Sequence, residues 1–298
     1  MAIDVDPRIL ATAAAASAHA YEQAIVHVGE EIKARDVTNL DHLVDSLAAD
    51  GPYAYTIMPM VNDGKVTLPV LSDKEEIREA YAFIRGLSDL HEVVGLTEVR
   101  GAWYLFQDAA AYGSLSGSPE VHPPRGTLAI FPSGAQTGIT GELVWAQVPR
   151  SVLGAEDEVD IASDDVMATR LQLIKQHARF LDGLRANDVD AVLDTIHDGA
   201  ASAIRDYVAA TGGLVSLSGA DAHRAWFSSF FEKFEVRSAD ALVQVTEDWY
   251  VFAELRLVVV DRASGGGLAF NTAEFFVPSK NGRFIARIGH GTEPTPVR

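Results

Sequence analysis

Leu-Ser-Gly-Ala-Asp-Ala-His-Arg occupies residues 217–224, and Leu-Ser-Asp-Lys-Glu-Glu-Ile-Arg occupies residues 71–78. The octapeptides lie 146 positions apart (217 minus 71), and the same offset carries Trp103-Tyr104-x-Phe106 onto Trp249-Tyr250-x-Phe252 and Pro132-Ser133 onto Pro278-Ser279. One ungapped offset across 68–139 and 214–285 argues for a duplication, and a repeat of this kind decides the fold before any local reading does. The chain therefore reads as two related domains in tandem. Residues 1–150 form the first, degenerate and with a helical lead-in. Residues 151–165, acidic and aperiodic, form a linker, and residues 166–298 form the better preserved second domain.

Composition bounds what these domains can do. At 298 residues, 48% hydrophobic and 22% charged, the chain suits two globular domains with their own cores. A formal charge of -18 argues against binding phosphate backbones or anionic membranes, which call for lysine and arginine. With no cysteine, disulfides and thiolate chemistry are excluded. The alanine-rich start has no basic leader, and no apolar run reaches the ~20 residues of a membrane span, so a cytoplasmic protein is expected. The nine histidines show no metal-ligand spacing, and Gly265-Gly266-Gly267 precedes no helix, so it reads as a turn and not a phosphate loop.

Local signals place the elements. Tyr21, Ile25, Val28 and Ile32 recur at helical spacing from Ser17 to about Arg35, and a short helix is expected from Asn39 to Leu47. Ser72 with Glu75, and Ser218 with Asp221, read as capping boxes. Strands are expected at Leu90–Val99, Trp103–Tyr112, Thr127–Phe131 and Ile139–Val148, with Gly113–Pro124 as a break. In the second copy, helices Val166–Ala186, Val189–His197 and 218–234 precede strands Asp240–Thr246, Trp249–Asp261, Leu268–Val277 and Arg283–His290. Asn281-Gly282 joins the last two as a hairpin, and the tail from Thr292 should be loose.

This order resembles the ketosteroid isomerase, SnoaL and NTF2-like family. Ala186-Asn187-Asp188-Val189-Asp190-Ala191 resembles the family's helix break, Leu217–Arg224 its third-helix start, and Phe275-Phe276-Val277 with Asn281-Gly282-Arg283-Phe284 its closing hairpin. The resemblance implies an α+β fold: two tandem cones, each a curved, mostly antiparallel sheet wrapped around a long helix. Each cone would leave an apolar pocket at its wide end. It also implies a pocket acid at Glu274, eight residues before Gly282, where ketosteroid isomerases hold a protonated carboxyl. Epoxide hydrolases of the superfamily set an arginine among acids, which Glu254-x-Arg256 resembles.

From the residues themselves, Glu274 among Phe270, Phe275 and Phe276 should be a desolvated acid able to give or take a proton. His177 on the long helix and His290 at the end of the last strand would assist, and Glu254 with Arg256 would orient. Trp226, Phe227, Trp249, Tyr250, Phe252 and Phe276 would wall the site. The family's strand base falls near Ile204, an apolar residue, with Asp206 as a substitute. In the first copy Tyr53, Tyr55, His27 and Asp108 are the polar-aromatic candidates, and Leu128 stands at the offset position of Glu274. The expected function is a cofactor-free, metal-free isomerase, dehydratase or cyclase acting on a small apolar, aromatic or polyketide-like molecule. The alternative is a non-catalytic ligand-binding or assembly protein, with an internal pseudo-dimer or a homodimer covering the sheet faces. No nucleic acid or membrane partner is expected.

Overall fold

The computed structural model describes residues 5–27, 38–57, 59–62, 65–115, 118–133, 138–147 and 165–297. The chain divides into two compact units, Met1–Met58 with Pro69–Gln147, and Pro59–Leu68 with Val148–Arg298. The expected linker lies outside the described residues except for Asp165, as does the helix beyond His27.

In the first unit, helix α1 (Pro7–His27) and α2 (Thr38–Asp45) precede β1 (Ala54–Thr56). The hairpin β2 (Met60–Asn62) and β3 (Lys65–Thr67) goes with the second unit. The chain then returns to the first unit through β4 (Val70–Leu71), α3 (Lys74–Leu87), β5 (Ser88–Arg100), β6 (Tyr104–Leu115), β7 (Val121–Pro132) and β8 (Gly141–Ala146). The sheet runs β4-β1-β8-β7-β6-β5, antiparallel except where β1 meets β8. Its inner face packs Tyr55, Leu105, Ala129 and Phe131 with Ala16 of α1.

In the second unit come α4 (Val166–Ala186), α5 (Val189–Leu193), β9 (Ile196–Asp206), β10 (Gly213–Ser218), α6 (Gly219–Lys233), β11 (Phe234–Thr246), β12 (Val251–Asp261), β13 (Gly267–Pro278), β14 (Phe284–Gly291) and β15 (Thr295–Val297). Strand order is β10-β9-β14-β13-β12-β11, with β15 on β13 and only the β9–β14 pair parallel. Asp165 starts α4 by accepting the N–H groups of Met167 and Ala168. Asn187 stops it in the left-handed region, at φ 54°, and its side chain clamps Val236 through both backbone groups. Asp188 then caps α5. The Asn-Asp pair thus breaks the helix for two separate reasons. Leu173, Phe180, Leu181 and Leu184 of α4 pack into a core with Val251, Leu255 and Phe276 of the sheet.

Both sheets curve for the same reason. The β5–β6 ladder slips between Leu90/Glu92 and between Gly95/Thr97, and the β11–β12 ladder slips between Val236/Ser238 and Ala241/Val243. These bulges stand 146 residues apart (236 minus 90; 241 minus 95). A bulge bends its strand and tightens its twist, so the two units share the devices that wrap each sheet around its helix.

Several local expectations fail for identifiable reasons. Asp73, not Ser72, caps α3, because its carboxylate reaches the N–H groups of Glu75 and Glu76. Ser218 makes no side-chain cap, since its hydroxyl donates to the carbonyl of Val66 on β3. Helix α5 stops at Leu193, where Ile196 enters the parallel β9–β14 ladder. Strand pairing runs through Leu115 and resumes at Val121, so the break in the first copy is shorter than expected. The tail pairs with β13 through Thr295–Val297.

Candidate functional site

Alternation along β13 places Thr272, Glu274 and Phe276 on the inner face, and alternation along β14 places Arg287, Gly289 and Gly291 there. Glu274 is in register with Gly289, and a Cβ at Gly289 would lie 2.6 Å from Glu274 Cγ. The missing side chain lets the glutamate lie across the neighbouring strand. Arg287 Nε then donates to Glu274 Oε2 at 2.6 Å and Nη2 to Oε1 at 2.9 Å, a two-pronged fork. Glu274 is fully buried, and the Arg287 side chain is 11% exposed. Phe180, Phe227 and Phe276 surround the guanidinium, its Cζ lying 5.2, 6.0 and 6.0 Å from the ring centres.

This pair forms part of the wall of a small cavity of about 30 Å³. The apolar wall comes from Leu184, Trp226, Phe227, Phe230, Leu257 and Phe270. Arg205, Asp206, Tyr207 and Thr272 supply the remaining polar lining. Arg205 lies 5.2 Å from the Tyr207 ring and bonds its side chain, while burial pulls the guanidinium pKa below its ordinary value and Tyr207 raises it back in part. Asp206 accepts the N–H groups of Val208 and Ala209 at 2.7 Å each, so one of its oxygens shapes the following turn. Thr272 Oγ1 is buried and has no hydrogen-bond partner among the described residues.

A long helix crossed by a curved sheet of this strand order, with an aromatic cavity on the inner face, decides the fold. Each unit has the expected NTF2-like cone fold, a curved, mostly antiparallel sheet around a long helix. No protein-family model matches the chain, and no curated protein matches it. Solved structures similar to it include an LEH-like epoxide hydrolase from M. tuberculosis, 13% identical, covering 41% of this chain and 84% of its own with a TM-score of 0.34. Another is SalBIII, described as an epoxide hydrolase/cyclase-like enzyme in pyran ring formation, 16% identical over 43% of this chain and 97% of its own, TM-score 0.33. A SnoaL-like protein of unknown function from Burkholderia thailandensis is 16% identical over 41% and 96%, TM-score 0.31.

Of the residues singled out in the sequence, Glu274, Trp226 and Phe227 border the cavity. Glu274 is not the isolated carboxyl anticipated, because Arg287 holds both of its oxygens. Phe276 stands behind the guanidinium, 5.0 Å from the His177 ring. His177 is fully buried, and its Nδ1 contacts Gln244 Oε1 at 3.0 Å, while Nε2 has no hydrogen-bond partner among the described residues. Burial lowers its pKa, Gln244 and the Glu274 charge raise it in part, and Arg287 lowers it further. His290 lies 6.0 Å from the Tyr207 ring, and burial, reinforced by the Arg205 charge, lowers its pKa to about 3. Neither histidine borders the cavity or hydrogen-bonds Glu274: His177 lies within electrostatic reach of the pair, whereas His290, which alternates with Gly289 and Gly291, lies on the other face of β14.

Glu254, Arg256, Trp249, Tyr250 and Phe252 do not border the cavity. Alternation puts Glu254 and Arg256 on the opposite face of β12 from the core residues Leu255 and Leu257. Arg256 is exposed, and Glu254 accepts from Asn271 at 3.0 Å. Tyr250 and Phe252 share that outer face, and half-buried Trp249 precedes the strand. Ile204 and Asp206 both border the cavity.

Arg287 and Arg205 were missed. Each is a lone arginine inside an otherwise small or apolar strand, Phe-Ile-Ala-Arg-Ile-Gly and Ala-Ser-Ala-Ile-Arg, and that isolation was the available signal. The first cone also holds more polar chemistry than its sequence suggested. Tyr81 and Gln23 both donate to Glu142 Oε2, which lies 3.9 Å from His19 Nε2. His19 contacts Ser46 Oγ and the Tyr55 hydroxyl at 2.7 Å each. Burial raises both tyrosine pKa values well above the ordinary range. Burial also raises Glu142, but His19, Gln23 and Tyr81 outweigh it and hold the carboxyl below its usual value. Tyr53 instead donates to the Ala48 carbonyl, and the His27 side chain lies outside the described residues. Among the described residues, no group of three histidines and acids is placed to hold a metal, and no helix is long and apolar enough to cross a membrane.

Proposed function

We propose that the second cone is a cofactor-free enzyme that moves a proton on a small, largely apolar molecule, in the manner of an isomerase, dehydratase or cyclase. Glu274 gives or takes the proton, and Arg287 stabilises negative charge as it develops on a substrate oxygen. The supporting observation is the position of their ion pair. A buried pair is often no more stabilising than well-packed apolar residues in its place, yet this one sits at the wall of a cavity lined largely by aliphatic and aromatic side chains. In its resting form the fork occupies both carboxylate oxygens. A substrate oxygen that takes one guanidinium N–H frees a carboxylate oxygen beside the substrate, so binding itself unmasks the base. His177, whose pKa burial lowers, acts as a fixed neighbour that tunes the pair.

The test is exchange of carbonyl-adjacent protons in D₂O, followed by NMR across a panel of cyclic and aryl ketones. Glu274→Gln should slow exchange at least ~100-fold, the usual scale of acid–base assistance, with circular dichroism unchanged. Exchange at the wild-type rate in the variant sinks the proposal. The doubly satisfied fork also suits a non-catalytic binding or assembly protein, and ketones that bind without exchanging would favour that reading. Pairing of sheet faces, within one chain or between two, is a further proposal that the mass in solution tests.

A further inference from the structure

Helix α4 carries two apolar faces, and the cone uses one. Leu173, Phe180 and Leu184 pack into the core, as a helix lying on a sheet requires. Met167, Leu171, Ile174 and Ala178 form a second stripe, and all four are exposed, Met167 at 59%, Leu171 at 53% and Ile174 at 41%. The ion pair of Arg170 with Glu247, the contact of His177 with Gln244 and the bond from Arg185 to the Ala239 carbonyl lay β11 antiparallel along one flank of the helix. Leu242, the extra residue of the β11 bulge and 52% exposed, lies level with the C-terminal end of the stripe. Apolar side chains scattered singly over a surface are ordinary, but four large ones gathered along one helix and its neighbouring strand mark an interaction surface.

The spacing and the charges say what fits it. The stripe steps by four, three and four residues (167, 171, 174, 178), an order that reads the same from either end. A reversed copy of the helix therefore sets Met167 against Ala178 and Leu171 against Ile174, the reciprocal pairing that a two-fold axis imposes. Beside the stripe, Lys175 and Arg179 are exposed and make no ion pair among the described residues, whereas Arg170 and Arg185 are paired. Two α4 helices laid parallel would set Lys175 and Arg179 each against its own copy. Laid antiparallel, with the axis between Leu171 and Ile174, Arg179 comes level with Val166 of the second copy, next to Asp165, the acid that caps the helix. Lys175 comes level with Arg170, whose charge Glu247 already offsets.

We propose that the exposed stripe of α4 binds the same stripe of a second copy of this chain, antiparallel about a two-fold axis, and so forms a transient dimer. The contact uses the outer side of the helix and is separate from any pairing of sheet faces, and it does not depend on the cavity reading. Three helical turns supply roughly half of the ~800 Å² per partner of a standard interface, so the dissociation constant should be on the order of 100 μM.

Sedimentation velocity on the full-length chain, from about 5 to 500 μM, should show the mass rising from 32.0 kDa toward twice that value and stopping there. Ile174→Lys, which sets a charge near its own copy at the axis, should weaken association at least ~10-fold. At the lowest concentration its melting temperature should match the wild type, because the position is exposed in the monomer. Arg179→Glu, which sets an acid beside Asp165, should weaken association about three- to tenfold, and high salt should narrow that gap. A chain that stays monomeric throughout, or that dimerises equally well as Ile174→Lys, overturns the proposal. Growth past the dimer rules out the two-fold arrangement, and wild-type affinity in Arg179→Glu rules out the antiparallel alignment; either sinks it. A lowered melting temperature in monomeric Ile174→Lys shows that the stripe is covered within its own chain, which refutes it as well.

Discussion

Replacing Arg287 by methionine isolates the energetic role of the buried fork. Methionine fills much of the space among Phe180, Phe227 and Phe276 but leaves the Glu274 carboxylate, fully buried, without the guanidinium that now holds both of its oxygens. Removing one partner of a buried pair costs about 3–5 kcal/mol, because the desolvated charge left behind has nothing to compensate it. Against domain stabilities of about 5–15 kcal/mol that is about a fifth or more of the total. The double variant Glu274→Leu with Arg287→Met removes both charges and should return to within about 1 kcal/mol of the wild type or exceed it. Urea titration read by hydrogen-exchange mass spectrometry, on peptides from 267–291, confines the measurement to strands β13 and β14. A loss below about 1 kcal/mol in the single variant, or a double variant no better than the single, would refute the reasoning, since either means that solvent reaches the pair.

Four further outcomes follow from the structure. In the second unit burial lowers the pKa values of His177, His223 and His290, the last to about 3. The unfolded chain protonates these residues first, so their stabilisation is complete above an unfolded pKa of about 6.5 and falls as the pH drops below it. Urea midpoints for this unit should decline steadily from pH 6.5 to 4, with a shallower slope in His290→Gln. In the first unit the lowered Glu142 pKa has the carboxylate sign: its stabilisation is present above the ordinary value of 4.5 and is lost as pH falls through the folded value. Glu142→Gln should cost about 1–3 kcal/mol at pH 7 and remove that acid-side loss from the pH–stability curve. Gly289→Ala, whose Cβ would meet Glu274 Cγ at 2.6 Å, should cost at least about 2 kcal/mol in thermal unfolding. Gly265→Ala, at φ +71° with nothing within 4 Å, should cost about 1 kcal/mol from backbone strain alone.

How much of this was legible depended on whether a feature was local. Asn281-Gly282 declared its hairpin because a left-handed glycine, here at φ +81°, is a property of the turn itself. Asn187-Asp188 declared the helix break for the same reason. Caps were less secure, because Ser72 and Asp73 compete for the same N–H groups and only the backbone path decides which one reaches them. The site was the least legible part. Glu274 announced itself among phenylalanines, but its partner lies 13 residues away across a hairpin, and nothing in the spacing Glu274–Arg287 says that Gly289 clears the way between them.

The constant offset of 146 hid one residue of register, and that residue changes the meaning of the first cone. Near the open ends of β6 and β7, Gly113 pairs with His122 and Ser114 with Val121, the counterparts at an offset of 146 of Val259 with Leu268 and Val260 with Gly267. Beyond a bulge between Ala111 and Gly113, for which β12–β13 has no equivalent, Leu105 pairs with Phe131 where Val251 pairs with Phe276. A one-residue slip turns a whole strand over. Leu128 is therefore not the counterpart of Glu274: Ala129 is, and Phe131 corresponds to Phe276. Carried one strand further, Ile130 pairs with Leu143, which sets Glu142 in the place of Arg287. Each cone keeps an ionisable group at the same point of its parallel-paired strand, Glu142 beside Tyr55 and Arg287 beside Ser202, but with opposite charge. The compensation differs accordingly. Ala129 offers no carboxylate for an arginine, and Glu142 takes its donors instead from Gln23 on α1 and Tyr81 on α3. A satisfied network anchored to the covering helix rigidifies a core, whereas a strand-to-strand fork at a cavity wall can open without moving a helix. The first cone is thus an inverted and locked form of the second, and the arrangement free to rearrange around a ligand is the one built on Glu274 and Arg287.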